Sequence, residues 1–198
     1  MPANGQPVSS DGLANIRTII ENRLGYYGFV SPDVQTQGTD RIVVQFPATA
    51  DVQQVRVLVS STGRLDFVEV PPARASEVVV GESIPPDLAV IFSGDQIATA
   101  SAGTTQTGQR AVDLTFRAEG AQLFDQHAAA HFGEQFAIVL DGIVVSAPII
   151  RATRFDGKAQ ISGAFETQDD VSELVTVLMY GALPNALEEV SFGPCPAQ

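Results

Sequence analysis

Apolar residues at Leu13, Ile16, Ile20 and Leu24 recur at spacings of three and four, which draws one stripe along a helix. Ser10-Asp11 supplies a cap before that stripe and Gly28 a stop after it. Gly25 inside the segment costs about 1 kcal/mol relative to alanine, so the last turn is expected to be loose. Beyond Ser31-Pro32, the stretches Asp33 to Gln37 and Arg41 to Phe46 flank Gly38-Thr39-Asp40. The β-branched bias of Ile42-Val43-Val44 predicts a hairpin there, ended by Pro47. Thr49 or Asp51 then caps a short helix carrying Val52, Val55, Val57 and Leu58 before Gly63, and Leu65 to Val70 alternates as a strand.

From Pro71 to Gln109 the texture is less periodic, with Pro71-Pro72, Pro85-Pro86 and the polar run Ser101 to Gln109. A lobe boundary is expected here. Val78-Val79-Val80 and Leu88 to Phe92 predict short strands within it. Ala111 to Phe116 alternates as a strand, and Gly120 to Phe132 places Ala121, Phe124, Ala128 and Phe132 on one helical face. Asp141-Gly142 between Phe136–Leu140 and Ile143–Ser146 is the strongest hairpin signal in the chain. Ala159 to Gly163 reads as one more strand. Thr167 with Asp170 is a capping-box variant opening a helix whose apolar face is Val171, Leu174, Val175, Leu178 and Met179. Gly181 stops that helix, Pro184 prevents its continuation, and Leu187 to Phe192 is expected to add a last strand.

Composition makes this a folded globular chain, 198 residues long with 44% hydrophobic and 17% charged residues, enough for one good core or two small ones. The net charge of −12 is spread over both halves: 6 Lys+Arg against 11 Asp+Glu before residue 100, and 5 against 12 after it. A nucleic-acid binder needs clustered cations, and the single lysine, Lys158, has no basic neighbourhood, so nucleic acid is excluded as a partner. Anionic headgroups would repel the same surface, and no membrane contact is expected of this chain itself. The amino terminus lacks the basic start and apolar stretch of a signal peptide. No window reaches the ~20 apolar residues of a spanning helix, so the chain is expected to be soluble. Cys195, the only cysteine, has no intrachain partner and is given no role.

Catalytic patterns are poor. His127 and His131 sit four apart on a helix, a spacing suited to two metal ligands, but Ala128 stands where a zinc protease carries its glutamate and a third ligand would have to come from elsewhere. Two histidines on the edge of an amphipathic helix are the expected reading, with no metal. Gly103 to Gly108 has the glycine spacing of a phosphate loop, yet Gln109-Arg110 replaces the lysine and hydroxyl residue such a loop needs. There is no Gly-x-Ser-x-Gly elbow. Asp169-Asp170 lies in a first helical turn, where capping explains it. No enzyme activity and no cofactor are expected.

Two blocks carry a family resemblance. The first is Ile19-Ile20-Glu21-Asn22-Arg23-Leu24, Gly28, Ser31-Pro32 and Gln35 through Pro47, continued by Ser61 through Phe67. The second is Leu114-Thr115-Phe116, Gly120-Ala121, Phe124, Gly133 and Ala137 through Ile150, then Gln160 through Phe165 and Gly181 through Pro184. In this order the blocks resemble the first extracytoplasmic domain of the SecD protein-export family, over residues 12–193. The resemblance implies an α+β fold: a ferredoxin-like base, residues 10–75 with 165–193, carrying an inserted α+β head, residues 76–164, and a tail at 194–198. Proton-coupled movement in that family depends on membrane-embedded charges, and this stretch carries no membrane segment. His131 stands where members usually have asparagine.

The function implied is contact with emerging, unfolded preprotein through a mobile head, at the extracytoplasmic face, with SecF and the translocon as partners if the chain is part of a full-length SecD. The hairpin supplies candidate contacts at Ile143, Val145, Pro148 and Ile150, and the candidate hinge is Pro71, Pro72, Ala164 and Phe165. An unfolded chain would be held by apolar patches and free strand edges. The alternative is a stand-alone secreted or surface interaction module that retains the fold and binds one fixed partner.

Overall fold

The computed structural model describes residues 10–29, 32–163 and 165–193. Helix α1 (Ser10–Tyr26) forms on the predicted stripe, with Leu13, Ile16, Ile20 and Leu24 all buried. It closes by a Schellman arrangement: the Phe29 N–H donates to the Leu24 carbonyl at 3.0 Å and the Gly28 N–H to that of Gly25 at 3.2 Å. The closure needs the left-handed backbone of Gly28, φ 106°, which a side chain would strain. Strands β1 (Asp33–Gln37) and β2 (Arg41–Gln45) pair antiparallel from Asp33↔Gln45 to Gln37↔Arg41. Helix α2 (Val52–Ser60) is capped by Asp51, whose carboxylate accepts from the Gln53 N–H at 2.8 Å. Ile16, Ile20, Leu24, Val34, Val55, Leu58 and Leu183 share one core. These elements belong to a compact unit made of Met1–Thr62 and Tyr180–Gln198.

The second unit, Gly63–Met179, contains strands β3 (Leu65–Val70), β4 (Val90–Ser93), β5 (Ile97–Thr104) and β6 (Arg110–Phe116), then helix α3 (Ala118–Ala130). Strands β7 (Gln135–Leu140), β8 (Ile143–Ser146) and β9 (Lys158–Ser162) follow, with helix α4 (Gln168–Met179) last. A four-stranded sheet of order β4-β3-β7-β8 and a three-stranded sheet β5-β6-β9 result, with every neighbouring pair antiparallel. Alternation along β3 and β7 buries both faces of the larger sheet. Leu65, Phe67, Phe136 and Ile138 face a core shared with Phe92, Phe116, Phe124 and the α4 residues Val171, Leu174 and Val175. Val68, Val70, Ala137 and Val139 face an outer layer containing Val78 and Val144. Phe67 stacks on Phe92 with centroids 4.4 Å apart and meets Phe116 edge-on at 5.3 Å, the favoured geometries for aromatic pairs.

The α+β class is as expected, but several elements fall differently. Strand β3 and helix α4, assigned to the base with residues 10–75 and 165–193, lie in the second unit. Their apolar faces complete its aromatic core, and the units divide at Thr62/Gly63 and Met179/Tyr180 instead of 75/76 and 164/165. Among the described residues the only strands of the first unit are β1 and β2.

The start of the polar run Ser101 to Gln109 is the second half of β5, paired with β6 from Ala100↔Leu114 to Thr104↔Arg110. It reads as a loop because β5 is an edge strand with most of its side chains in solvent. Val78 to Val80 is not a strand. It follows a 3-10 turn (Pro72–Glu77), and only Val78 is buried. Leu187 to Phe192 forms no strand either. Side chains hold it: Arg56 makes a two-pronged ion pair with Glu189 at 2.8 and 2.9 Å and lies over the Phe192 ring, which stacks against Phe46. The tail 194–198, with Cys195, lies outside the described residues.

Candidate functional site

The β7–β8 hairpin turns through Asp141 (φ 51°) and Gly142 (φ 85°), both left-handed, as a two-residue turn of the I′ kind requires. The Asp141 carboxylate accepts from the backbone N–H of Arg64 at 2.9 Å and of Gly63 at 3.3 Å, fixing the hairpin tip to the start of β3. Beside this turn Ile143 is 40% exposed. Val145 and Pro148 are half-buried, with Val145 packed against the aromatic core. Ile150 is 1% exposed and cannot touch a partner. Val144 is buried on the outer-layer face of the sheet, whereas Ile150, four residues past the end of β8, packs into the aromatic core on the side of Val145, and its neighbour Ile149 is left half exposed at 50%.

Nor is the outer edge of β8 free near its tip. The Gly81 N–H donates to the Val144 carbonyl at 2.8 Å, the Val144 N–H to Glu82 at 2.9 Å and the Ile84 N–H to Gly142 at 2.9 Å. Strand addition at that point is therefore blocked.

Phe132 and Ile149 are among the exposed apolar residues that the sequence reading did not anticipate. Phe132, expected on the buried face of α3, is 60% exposed because the helix ends at Ala130 and Gly133 (φ 86°) turns the chain away. Ile149 bridges Gln135, and paired bonds, Gly133 N–H to Ile150 carbonyl and Ile150 N–H to Glu134 carbonyl, tie the two segments together.

The hinge candidates do not lie where the chain crosses between units. Pro71 and Pro72 start the 3-10 turn inside the second unit, and Phe165 packs against its core. Ala164 lies outside the described residues. On the first-unit side of both crossings sits a residue the sequence reading passed over. Arg23 is fully buried, and its guanidinium donates to four carbonyls: Leu58 at 3.0 Å, Ser61 at 2.6 Å, Thr62 at 3.2 Å and Gly181 at 2.8 Å. Its signal was an arginine set among the apolar positions of α1, between Ile20 and Leu24.

His127 lies in the last turn of α3 and His131 caps it; their rings stack with centroids 4.3 Å apart. His131 Nδ1 lies 2.9 Å from a Glu134 carboxylate oxygen. Glu69 of β3 completes a group whose ligating atoms all lie within 4.8 Å of one another. Burial and then repulsion from His131 push the His127 pKa down, against the pull of Glu69 and Glu134. The neutral form is thus favoured in the folded state. On acidification the unfolded chain takes up its proton first, so the stability held by neutral His127 is present above the ordinary imidazole range and lost as pH falls through the folded pKa. A lower urea midpoint at pH 5 than at pH 7.5 is expected, with part of that drop abolished in His127→Gln. An unchanged pH dependence in the variant would contradict this origin.

The remaining motifs have structural roles. Asp170 accepts from the N–H of Thr167 at 2.8 Å and of Glu166 at 2.9 Å, while Thr167 Oγ1 accepts from the Asp170 N–H, a reciprocal cap. Those backbone donors hold the Asp170 carboxyl below its usual range. Gly103 lies within β5, paired with Ala111, and Gly108 (φ 80°) belongs to the turn into β6. Among the described residues no helix is long and apolar enough to cross a membrane.

Residues 13–72 match the family model described as protein translocase subunit SecDF, P1 domain, N-terminal, and residues 73–185 match SecDF, P1 head subdomain. The protein translocase subunit SecD of Rhodobacter capsulatus is 33% identical over an alignment taking in 89% of this chain and 35% of that protein. That of Syntrophobacter fumaroxidans is 34% identical, over 93% and 39%. A solved structure reported under "Structure and function of a membrane component SecDF that enhances protein export" is 29% identical with a TM-score of 0.79, covering 98% of both chains. A second, "Crystal structure of SecDF in Super-membrane-facing form", has a TM-score of 0.80 at 28% identity, over 96% of this chain and 29% of that one. The chain thus spans well under half the length of these curated relatives.

Proposed function

The chain belongs to the SecD/SecDF protein translocase family, matching its P1 domain, and from that premise we propose that it assists protein export by contacting unfolded preprotein at the extracytoplasmic face of the membrane. SecF and the translocon are the partners this reading names. The observation that carries it furthest is the exposure of Phe132 and Ile149, 60% and 50%, on two backbone-bonded segments inside the region matched as the head subdomain. Large apolar side chains held open on ordered backbone suit a partner that offers apolar residues in any sequence, because burial against them is non-directional. Strand addition is blocked at the β8 tip, and at the Phe132–Ile149 surface the contact is assigned to side chains. The pivot of the mobile head we place at the two crossings, Thr62–Gly63 and Met179–Tyr180, with Gly63 and Gly181 (φ 73° and 87°) beside them.

The test is binding of the chain to a fluorescent unfolded polypeptide, followed by anisotropy, with the double variant Phe132→Ser/Ile149→Ser beside it. Burying such side chains is worth roughly 1.5–3 kcal/mol each. Weak, sequence-tolerant binding that falls about tenfold or more in the variant is expected. Binding unchanged by the substitutions would overturn the assignment of this surface. A single tight complex with one folded partner would favour a fixed-partner module instead.

A further inference from the structure

Glu69 shares a sheet face with Phe67, two residues before it on β3, and that face lies under α3. There it meets His127 and His131, and the three side chains bring two imidazoles and a carboxylate within 4.8 Å. Four-coordinate zinc, with bonds near 2.0–2.1 Å, needs its ligand atoms roughly 3.4 Å apart, so modest side-chain rotation closes the group. Two further features favour an ion over a plain histidine pair. His127 Nε2 is buried with no hydrogen-bond partner among the described residues, a loss that a bound cation would remove. His131 already gives its Nδ1 to Glu134 at 2.9 Å, which turns Nε2 into the free lone pair and supplies the carboxylate support usual behind a ligating histidine.

We propose that Glu69, His127 and His131 form a binding site for a divalent transition-metal ion of the zinc class, with Glu134 orienting His131 and water completing the coordination. Two imidazoles with one carboxylate suit zinc, cobalt or nickel and disfavour magnesium and calcium, which select oxygen ligands. The ion ties β3 to the end of α3, next to the exposed Phe132. The site does not depend on the export reading, and it can stand or fall without it.

The chain contains only two histidines, which makes the test direct. Tag-free protein stripped with chelator is titrated with Zn2+ at pH 7.5 while the histidine ring resonances are followed by NMR. Both sets of ring signals are expected to shift together and to saturate at one equivalent. Added zinc at a hundred times its dissociation constant raises the melting temperature by roughly 5–10 °C. Affinity measured against a chelating indicator drops about 100-fold or more in His127→Gln/His131→Asn and about 10–100-fold in Glu134→Gln. Binding weakens as pH falls and protons compete for the imidazoles. Ring signals that do not move at one equivalent in the wild type, or zinc affinity equal in wild type and double variant, would overturn the proposal; the wild-type experiment needs no variant to fold.

Discussion

Arg23→Ala is expected to lower the stability of the first unit by about 3–5 kcal/mol, an effect seldom seen for one charged residue in a helix. The guanidinium has no access to solvent and spends its donors on backbone carbonyls from the end of α2, the Ser61–Thr62 segment and Gly181. Truncation takes the guanidinium from the buried Leu58 carbonyl, at about 1–3 kcal/mol for an acceptor left dry, and from the part-buried bonds to Ser61 and Gly181. The Thr62 carbonyl retains the Leu183 N–H at 2.6 Å and loses less. Arg23→Lys is expected to recover only part of the loss, because one ammonium cannot reproduce a planar fork whose two arms each serve two acceptors. The chain has no tryptophan and three tyrosines, Tyr26, Tyr27 and Tyr180, all in the first unit, so tyrosine fluorescence in urea reads this effect. A midpoint shift worth less than about 1 kcal/mol would contradict the role given to Arg23.

Phe67→Ala is expected to cost the second unit about 3–5 kcal/mol. Its ring touches four others, Phe92, Phe116, Phe124 and Phe136, at centroid distances of 4.4 to 6.4 Å, so no single neighbour can move in to fill the gap. Phe67→Leu keeps most of the volume and is expected to cost roughly 1–1.5 kcal/mol. Amide exchange in β3, β6 and β7 reports the loss, since protection there follows opening of this core. Equal protection in Phe67→Ala and the wild type would show that the ring cluster does not hold the unit together.

Local signals were legible where one short stretch decides its own structure. The α1 stripe, the Asp141-Gly142 turn and the Thr167–Asp170 cap each formed as their residues dictate. What failed depended on partners distant in the chain. Helix α4 shows an apolar face, but nothing in that face says that β5 and β6 will cover it and so place it in the second unit. Strand β5 looks like a loop because only the pairing with β6 justifies its polar edge. The third member of the histidine group is a strand glutamate far from α3 in sequence, which only the packing of helix on sheet brings within reach. Ile150 belongs with these cases, since it lies beyond β8 and reaches the aromatic core, the face opposite Val144, in a segment tied by backbone bonds to Gly133 and Glu134.

The central claim is that the second unit meets unfolded protein through the surface around Phe132 and Ile149. Amide and methyl NMR shifts on titration with an unfolded polypeptide test it most directly. Shifts concentrated in residues 131–135 and 148–150, with residues 10–62 silent, are the predicted result. No shift at high polypeptide concentration, or shifts confined to residues 10–62, would contradict it.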